Sequence, residues 1–404
     1  MTVDIIGSFL SDCTEPVRDP LWKNILFPPS FEKILFHPSF VKLSRIMQLG
    51  PTHLVYPGAT HSRRAHSIGV YAIALRIVQA LPGMKPLITE SGLRSFLVAS
   101  LCHDTGHFPY THSLKELPLV PHEVLTGKIL AHEMARAVEE AGAIPEKAAA
   151  IVDESLQTSD PELLLYRKIL SGTLDPDKLD YLNRDAWACG VPYGVQDVDF
   201  ILQHILVEDG NLAVDRRGVM SVEGLLFSKY QMYKAVYWHK MVRSATAMIK
   251  QGVIKALQDG AVTPDSLYGL DDDGFFSLFS GLRHEAGGLI CRVRDGLLYS
   301  PVYEKILDSG CEGLRDLKAR NEAREILVGE LRGMDAIIDI TEPFSLESDL
   351  RVAGTKHSVT ELSTVFSSDL VRAFENDLWR MRVYISGEVD ARTIAVVESV
   401  LAGK

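Results

Sequence analysis

"SLCHDTGHFPYTH", residues 100–112, closes the apolar run "FLVASLC" with three imidazoles and a carboxylate: His103, Asp104, His107 and His112. Leucine would pack better at the end of such a run, so these side chains are either satisfied core groups or the donors of a site. The surrounding histidines favour a site. Of the 13 histidines in the chain, eight (His53, His61, His66, His103, His107, His112, His122 and His132) lie between residues 53 and 132. An even spread over 404 residues would put about two or three there.

The flanking segments read as helices. "HSRRAHSIGVYAIALRIVQALPG" (61–83) has helical spacing of apolar residues, with Ile68, Tyr71, Ala72, Leu75 and Val78 on an inward face and Pro82-Gly83 as the stop. "SGLRSFLVASLCHD" (91–104) is a second helix whose end carries His103 and Asp104. "DPDKLDYLNRDAWACG" (175–190) is a later one, closed by glycine. Adjacent side chains on a helix leave about 100° apart, so His103 and Asp104 can both turn toward one ion. His66 and Asp177 then complete a set of two histidines and two aspartates drawn from three helices, a common way to build a metal site inside a helical core. Such a set accepts a divalent Mn, Fe, Mg, Ni or Zn ion without choosing among them.

Bulk properties narrow the setting. Hydrophobic residues make up 46% and charged residues 24%, as in an ordinary soluble protein. No apolar run is long enough to span a bilayer, and "MTVDIIGSFLSDC" lacks the basic start of a signal peptide, so a cytoplasmic location is expected. The net charge of −11 argues against nucleic-acid binding through a broad basic surface, while leaving room for a locally basic pocket. Five widely spaced cysteines (Cys13, Cys102, Cys189, Cys291, Cys311) form neither a disulfide framework nor a zinc motif and read mostly as small buried hydrophobes, Cys102 included.

Further along, "PSFVKLSRIMQLG" (38–50), "HEVLTGKILAHEMARAVEEAG" (122–142), "PELLLYRKILSG" (161–172) and "VEGLLFSKYQMYKAVYWHKMVRSATAMIKQGVIKAL" (222–257) carry helical patterns. "ILVEDGNLAVD" (205–215) alternates about Asp209-Gly210, a hairpin signal. "LDDDG" (270–274) reads as a junction. Beyond residue 334, "AIIDI" and "WRMRVYIS" read as strands and "DARTIAVVESVL" as a last helix. The fold class is therefore mostly α: a helical core over 1–265 with one short β-hairpin, then a smaller α+β region over 266–404.

The blocks "MQLGPTHLVYPGATHSRRAHSIGV", "LCHDTGHFPYTH", "PHEVLTGKIL", "LDPDKLDYLNRDA" and "SKYQMYKAVYWHKM" resemble, in order and approximate spacing, the deoxynucleoside triphosphate triphosphohydrolases of the HD-domain phosphohydrolase superfamily. The resemblance covers roughly residues 35–250 and implies an HD-domain core. It implies His66, His103, Asp104 and Asp177 as metal ligands, with His107 and His122 joining Asp104 in catalysis at the scissile phosphate. It places Arg63 and Lys178 on the phosphates, His112 in the pocket, and Gln48, Leu49, Tyr181, Asp185 and Tyr237 about the sugar. More loosely, Lys229 and Tyr233 fall at a phosphate contact and a pocket position. It also implies a nucleoside triphosphate substrate and a homo-oligomer, dimer or tetramer. The sequence departs from the family where an acidic residue follows the histidine matching His112: Lys115 comes first and Glu116 next. Ser44 stands where regulated members place an arginine, and Trp238 follows Tyr237 where other residues occur.

The chemistry is coherent on the residues themselves. A nucleoside triphosphate carries about four negative charges, and its hydrolysis calls for a metal and for cations on the departing charge. Arg63, Lys178 and Lys229 could form that clamp. A histidine of near-neutral pKa can protonate a leaving oxygen. Asp177, Tyr181 and Arg184 share one helical stripe and could line one wall. His53 and His61 read as structural or as pocket rim, Arg64 and the His132-Glu133 pair as surface, and the aromatic stripe "YQMYKAVYW" divides between core and pocket. Two alternatives stay open: a phosphomonoesterase or phosphodiesterase acting on another nucleotide or phosphorylated metabolite, and a non-catalytic nucleotide-binding oligomer.

Overall fold

The protein was described from a computed structural model that covers residues 4–402 except 85, 308–312, 332, 343 and 347–349; Cys311 lies outside the described residues. After a first helix at Ile5–Asp12 comes a hairpin that the sequence reading did not anticipate, β1 (Glu15–Asp19) against β2 (Lys23–Phe27). Its turn is made by Asp19, whose Oδ1 accepts from the amides of Leu21 and Trp22, a local side-chain turn that carries no alternating pattern. The segment 38–50 is not one helix. A turn of helix at Pro38–Val41 passes into a tighter turn at Lys42–Arg45, and then the backbone extends. The cause is a partner: Arg63 N donates to Ile46 O and Gln48 N to His61 O, so this stretch runs beside the start of the next helix.

That helix, α1 (Arg63–Ala80), is capped by the Ser62 side chain on the Ala65 amide and is followed by Leu81 and Pro82. The five residues assigned to its inward face are buried, but so are Ser67, Gly69, Val70, Ile73, Ala74 and Ile77. Only Gln79 of this helix is exposed because the helix is the axis of the core, with α2 (Glu90–Cys102) packed on one side. α3 (His122–Lys128) breaks into a π turn at Ile129–Glu133 before helix resumes at Ala135–Glu140, so the third expected helix is segmented. α4 (Pro176–Cys189) packs against α1 and ends on Gly190 in the left-handed conformation, φ 67°.

The hairpin of β3 (Ile205–Glu208) and β4 (Asn211–Val214) is present as expected, with positive φ at both Asp209 and Gly210. The long helix expected over 222–257 is divided. α5 (Val219–Met232) runs into a π turn at Tyr233–Tyr237, the chain breaks at Trp238, and α6 (Lys240–Gln258) restarts under a His239 cap. Inserting a residue in this way re-aims the side chains of the turn. Asp271 of the expected junction caps α7 (Asp272–Ser280).

In the last part of the chain β5 (Ser300–Ile306) and α8 (Leu317–Glu330) precede β6 (Ala336–Ile340); the short β7 (Arg351–Val352), β8 (Arg380–Ile385) and α9 (Ala391–Ala402) follow. β8 lies between β5 and β6 in an antiparallel sheet, and β7 adds in parallel to β4. The fold is mostly α with small sheets. Its largest apolar cluster runs from Ile6 to Leu378, so Phe344, Leu346, Val352 and Phe366 return to the helical core. A second cluster joins Phe108, Leu114 and Leu117 to α6, α7 and Tyr384.

The sheet is fastened to α6 by ions. Arg243 donates to Asp339 through two nitrogens, at 2.7 and 2.9 Å, and to Glu342 at 3.1 Å, with Asp339 1% exposed. Burial alone would raise the Asp339 carboxyl, but Arg243 and Lys250 outweigh it and hold it below the usual range. A carboxylate depressed in the folded state stabilises above its unfolded pKa of about 4, and that contribution fades as pH falls through the folded value. Asp339→Asn strands a buried guanidinium and should cost about 3–5 kcal/mol at pH 7. Urea unfolding should show the gap between variant and wild type narrowing below about pH 4; a gap independent of pH would contradict the pairing.

Candidate metal centre

The exit from α2 is held as a tight double turn. Thr105 N and Oγ1 both donate to Cys102 O, and His107 N donates to Asp104 O. Gly106 is required: a Cβ there would lie 2.2 Å from His122 O and 2.6 Å from Thr126 N. This close approach lets Thr126 Oγ1 accept from Gly106 N and donate to His103 O, each at 2.9 Å. From the other side Lys42 Nζ donates to the carbonyls of Thr105 and His107, at 3.1 and 2.9 Å. Burial lowers the Lys42 pKa to about 8. The sequence reading missed Lys42, because a lysine inside "FVKLSR" has no local mark that sets it apart from a surface residue.

Of the four residues read as ligands, His66, His103 and Asp104 have ligand atoms within 4.8 Å of one another, and Asp177 reaches the two histidines. His66 Nε2 lies 2.8 Å from Asp177 Oδ1. His103 Nε2 lies 3.3 Å from Asp104 Oδ1 and 3.7 Å from Asp177 Oδ1. The other nitrogen of His103 is fixed on Ser100 O at 3.0 Å, so Nε2 is aimed inward, where it is buried with no hydrogen-bond partner among the described residues. An orphaned imidazole nitrogen among two carboxylates and a second imidazole is a donor set that a divalent cation satisfies, so these residues fit a metal ion. The Asp177 side chain is 38% exposed, which leaves the set open on one side. A second triad shares Asp104: the ligand atoms of Asp104, His107 and His122 lie within 4.8 Å of one another.

Behind His66 stands a group the sequence reading also missed. Asp180 Oδ2 lies 2.8 Å from His66 Nδ1, a contact that would keep a proton on Nδ1 when a cation takes the place of the proton on Nε2. Asp180 also receives Trp22 Nε1 and two nitrogens of Arg184, and Arg184 reaches Asp19 at 2.9 Å. Arg184, 1% exposed, therefore lies under α1 and does not share a wall with Tyr181. Gly69 permits the contact, since a Cβ on it would sit 1.9 Å from Asp180 Oδ1. The only local signal for Asp180 was its place three residues after Asp177 and four before Arg184.

The charges are partitioned. Burial disfavours a charged His66, yet Asp177 and Asp180 raise its pKa to about 10. Burial, Arg63 and His122 push His107 well below its ordinary value against the pull of Asp104. Burial carries His122 down to about 4 despite Glu123 and Asp104. Asp104 stays ionised because His103, His107 and Arg63 outweigh its burial, with Arg63 Nη1 at 2.8 Å. The rings of His107 and His122 stack at 3.8 Å, and both His107 nitrogens are buried without a hydrogen bond.

Asp185 accepts from His61 Nε2 at 2.8 Å and from Tyr237 OH at 2.7 Å, so His61 positions a wall residue. Tyr237 meets Tyr181 and Tyr233 edge-on, at 6.3 and 5.0 Å between ring centres. Gln48 and Leu49 are half-buried, and Gln48 Oε1 is buried without a partner. The exposed His112 lies 4.8 Å from the His107 ring. Lys178 and Lys229 are engaged elsewhere: Lys178 Nζ donates to Asp175 at 2.7 Å and to Gly172 O, and Lys229 Nζ donates to Ser345 O at 2.8 Å. Arg64, read as surface, is half-buried and bonds Leu35 O. Cys13 and Cys102 are buried, whereas Cys189 and Cys291 are half-buried; burial raises the Cys102 thiol, which removes it as a nucleophile.

Comparison with known proteins places this geometry. Residues 63–184 match the HD domain family and residues 196–402 the HD associated region. An uncharacterized protein of Methanocaldococcus jannaschii is 32% identical over 287 residues, covering 70% of this chain and 58% of that one. The deoxynucleoside triphosphate triphosphohydrolase SAMHD1 of Bos taurus is 26% identical over 285 residues, covering 61% of this chain and 48% of that enzyme. The chain thus spans about half the length of these relatives. A solved structure of a hypothetical protein from Aquifex aeolicus superposes with a TM-score of 0.72 over 95% of this chain and 99% of that one, at 23% identity, which shows a shared fold. An HD domain carrying this histidine and aspartate cluster, continued by its associated region, makes the chain a member of the HD-domain phosphohydrolase superfamily.

Proposed function

We propose that this chain hydrolyses deoxynucleoside triphosphates to the deoxynucleoside and inorganic triphosphate in a metal-dependent reaction. The observation that carries this is His103 Nε2, buried and unpartnered among His66, Asp104 and Asp177, next to an Asp185–tyrosine wall that can take a sugar hydroxyl. The naming of the Bos taurus relative as a deoxynucleoside triphosphate triphosphohydrolase supports the substrate class.

A divalent ion held by those four residues would supply Lewis-acid polarisation at the phosphate. The remaining work falls to the chain. Arg63 neutralises charge at the phosphates while staying paired with Asp104. His107 and His122 are neutral in the free protein, and a polyanion bound against them raises their pKa. One of them then hands its proton to the leaving 5′-oxygen as that oxygen parts from the α-phosphorus and water adds. Tyr181, Tyr233 and Tyr237, with Gln48 and Leu49, enclose the sugar, and His112 closes the mouth. Residues 1–265 form the catalytic core, and 266–404 supply its support and the contacts of a homo-oligomer.

The engaged state of Lys178 and Lys229 favours one second reading, a phosphomonoesterase or phosphodiesterase acting on a less charged substrate. Product analysis separates the two. Each deoxynucleoside triphosphate, incubated with the protein and Mn, Mg or Fe and resolved by ion exchange, should yield triphosphate and deoxynucleoside; release of monophosphate with pyrophosphate, or turnover of simpler esters alone, would overturn the first.

The support behind His66 is tested by Asp180→Asn. Arg184 keeps Asp19, so helix content should hold while metal affinity drops about 10- to 100-fold in a direct titration. Wild-type affinity would show that Asp180 does not orient the ligand.

A further inference from the structure

The segment that carries His112 is bolted to the C-terminal part of the chain at one carboxylate. Glu116 Oε2 accepts from Lys250 Nζ of α6 at 2.9 Å and from Arg320 Nη2 of α8 at 2.8 Å. Both cations are sequestered, their side chains 8% and 4% exposed, and Arg320 Nη1 is buried without a partner among the described residues. Among the described residues Lys250 has one other carboxylate within ion-pair range, Asp339 at 3.8 Å, and Arg243 already holds that group through two hydrogen bonds. Glu116 is thus the group that satisfies Arg320 and completes Lys250. On either side of it Leu114 and Leu117 are buried in the cluster formed by α6 and α7, and Phe108 joins the same cluster. Val120 N donates to Tyr268 OH beyond. Phe108, Leu114, Leu117 and Val120 therefore contact the associated region, while the His107 ring meets those of His112 and His122.

The largest charge effects on His107, His112 and His122 come from Arg63, Asp104, Glu123, Lys115 and one another, whereas the contacts of Glu116 are with Lys250 and Arg320. We propose that Glu116 is a positioning residue for the reaction: through Lys250 and Arg320 it anchors the loop from Phe108 to Leu117 to the HD-associated region, and so fixes His107 and His112 over the substrate. The proposal rests on the hydrolytic reading of the site, and its test has one arm that does not.

In the full-length protein, Glu116→Gln keeps the size of the side chain and removes its charge. Misplacing a catalytic loop by about an ångström costs on the order of 100-fold, so kcat should fall about 10- to 100-fold. KM should change little, bound metal should be unchanged, and the midpoints of the pH–rate profile should stay where they are. Glu116→Asp should recover part of the loss, and Arg320→Gln should reproduce it from the other side should Glu116→Gln fold poorly. Glu325→Gln, an exposed change on α8, serves as the control. Hydrogen exchange of amides 108–117 should quicken in Glu116→Gln and Arg320→Gln and not in the control. Unchanged kcat with unchanged exchange would overturn the proposal, and so would a moved pH midpoint, which would make Glu116 an electrostatic partner of the histidines. A wild type that turns over no phosphate ester defeats the hydrolytic reading alone; exchange then decides the anchor, quickened amides supporting it and unchanged ones ending it.

Discussion

α1 and α4 touch at Gly69, and the site depends on that contact. With no side chain at Gly69, the Asp180 carboxylate and the Arg184 guanidinium fit directly beneath α1, one turn from His66. Asp180 can then hold one nitrogen of His66 while Asp177, a turn earlier on the same helix, meets the other. Two acids three residues apart thereby divide their work: one orients the imidazole and the other shares its ligand face. The cost of burying so much charge is offset by pairing, since Asp180 is met by Arg184, Arg184 by Asp19, and Asp104 by Arg63. Among the described residues His103 Nε2 has no hydrogen-bond partner, a position that a divalent cation would fit.

The α2 exit adds a second layer of constraint. Gly106 lets it press on α3, Thr126 links both sides of the turn, and Lys42 caps its carbonyls from a segment some sixty residues earlier in the chain. These contacts place His107 in a stack with His122 and share Asp104 between two groups of donors. Burial and Arg63 hold the pKa of both histidines down, which under the proposed function leaves them able to take up a proton when a polyanion binds.

Much of this was legible in the residues alone. The crowding of histidines within 80 positions marked the site, and periodicity located the helices that bring His66, His103 and Asp177 together. What escaped depends on distance in the chain. Asp180 reads as an ordinary helical acid until α1 and Trp22 arrive against it, and Lys42 reads as a surface lysine until the α2 exit folds over it. Arg184 sits at the right helical phase to share the Tyr181 wall, yet the adjacent hairpin offers it Asp19. The π turns at Ile129–Glu133 and Tyr233–Tyr237 interrupt patterns that look continuous, because a helical period tolerates one inserted residue. The hairpin of β1 and β2 was hidden by a turn built on an aspartate side chain in place of an Asn-Gly or Asp-Gly pair.

Distant parts of the associated region also pack on one another. Phe344 packs on Tyr233 and Trp238, and Ser345 O accepts the Lys229 ammonium, so the aromatic wall of the site is backed by residues more than a hundred positions away. The joint grip of His66, His103, Asp104 and Asp177 on one ion is what the whole account requires. Crystals grown with Mn or Fe and measured across the absorption edge of the metal test it most directly. The expected result is one anomalous peak about 2.0–2.3 Å from an imidazole nitrogen of His66 and of His103 and from an oxygen of Asp104 and of Asp177. A peak elsewhere in the molecule, or an ion at His103 and Asp104 with the Asp177 carboxylate beyond reach of it, would contradict it.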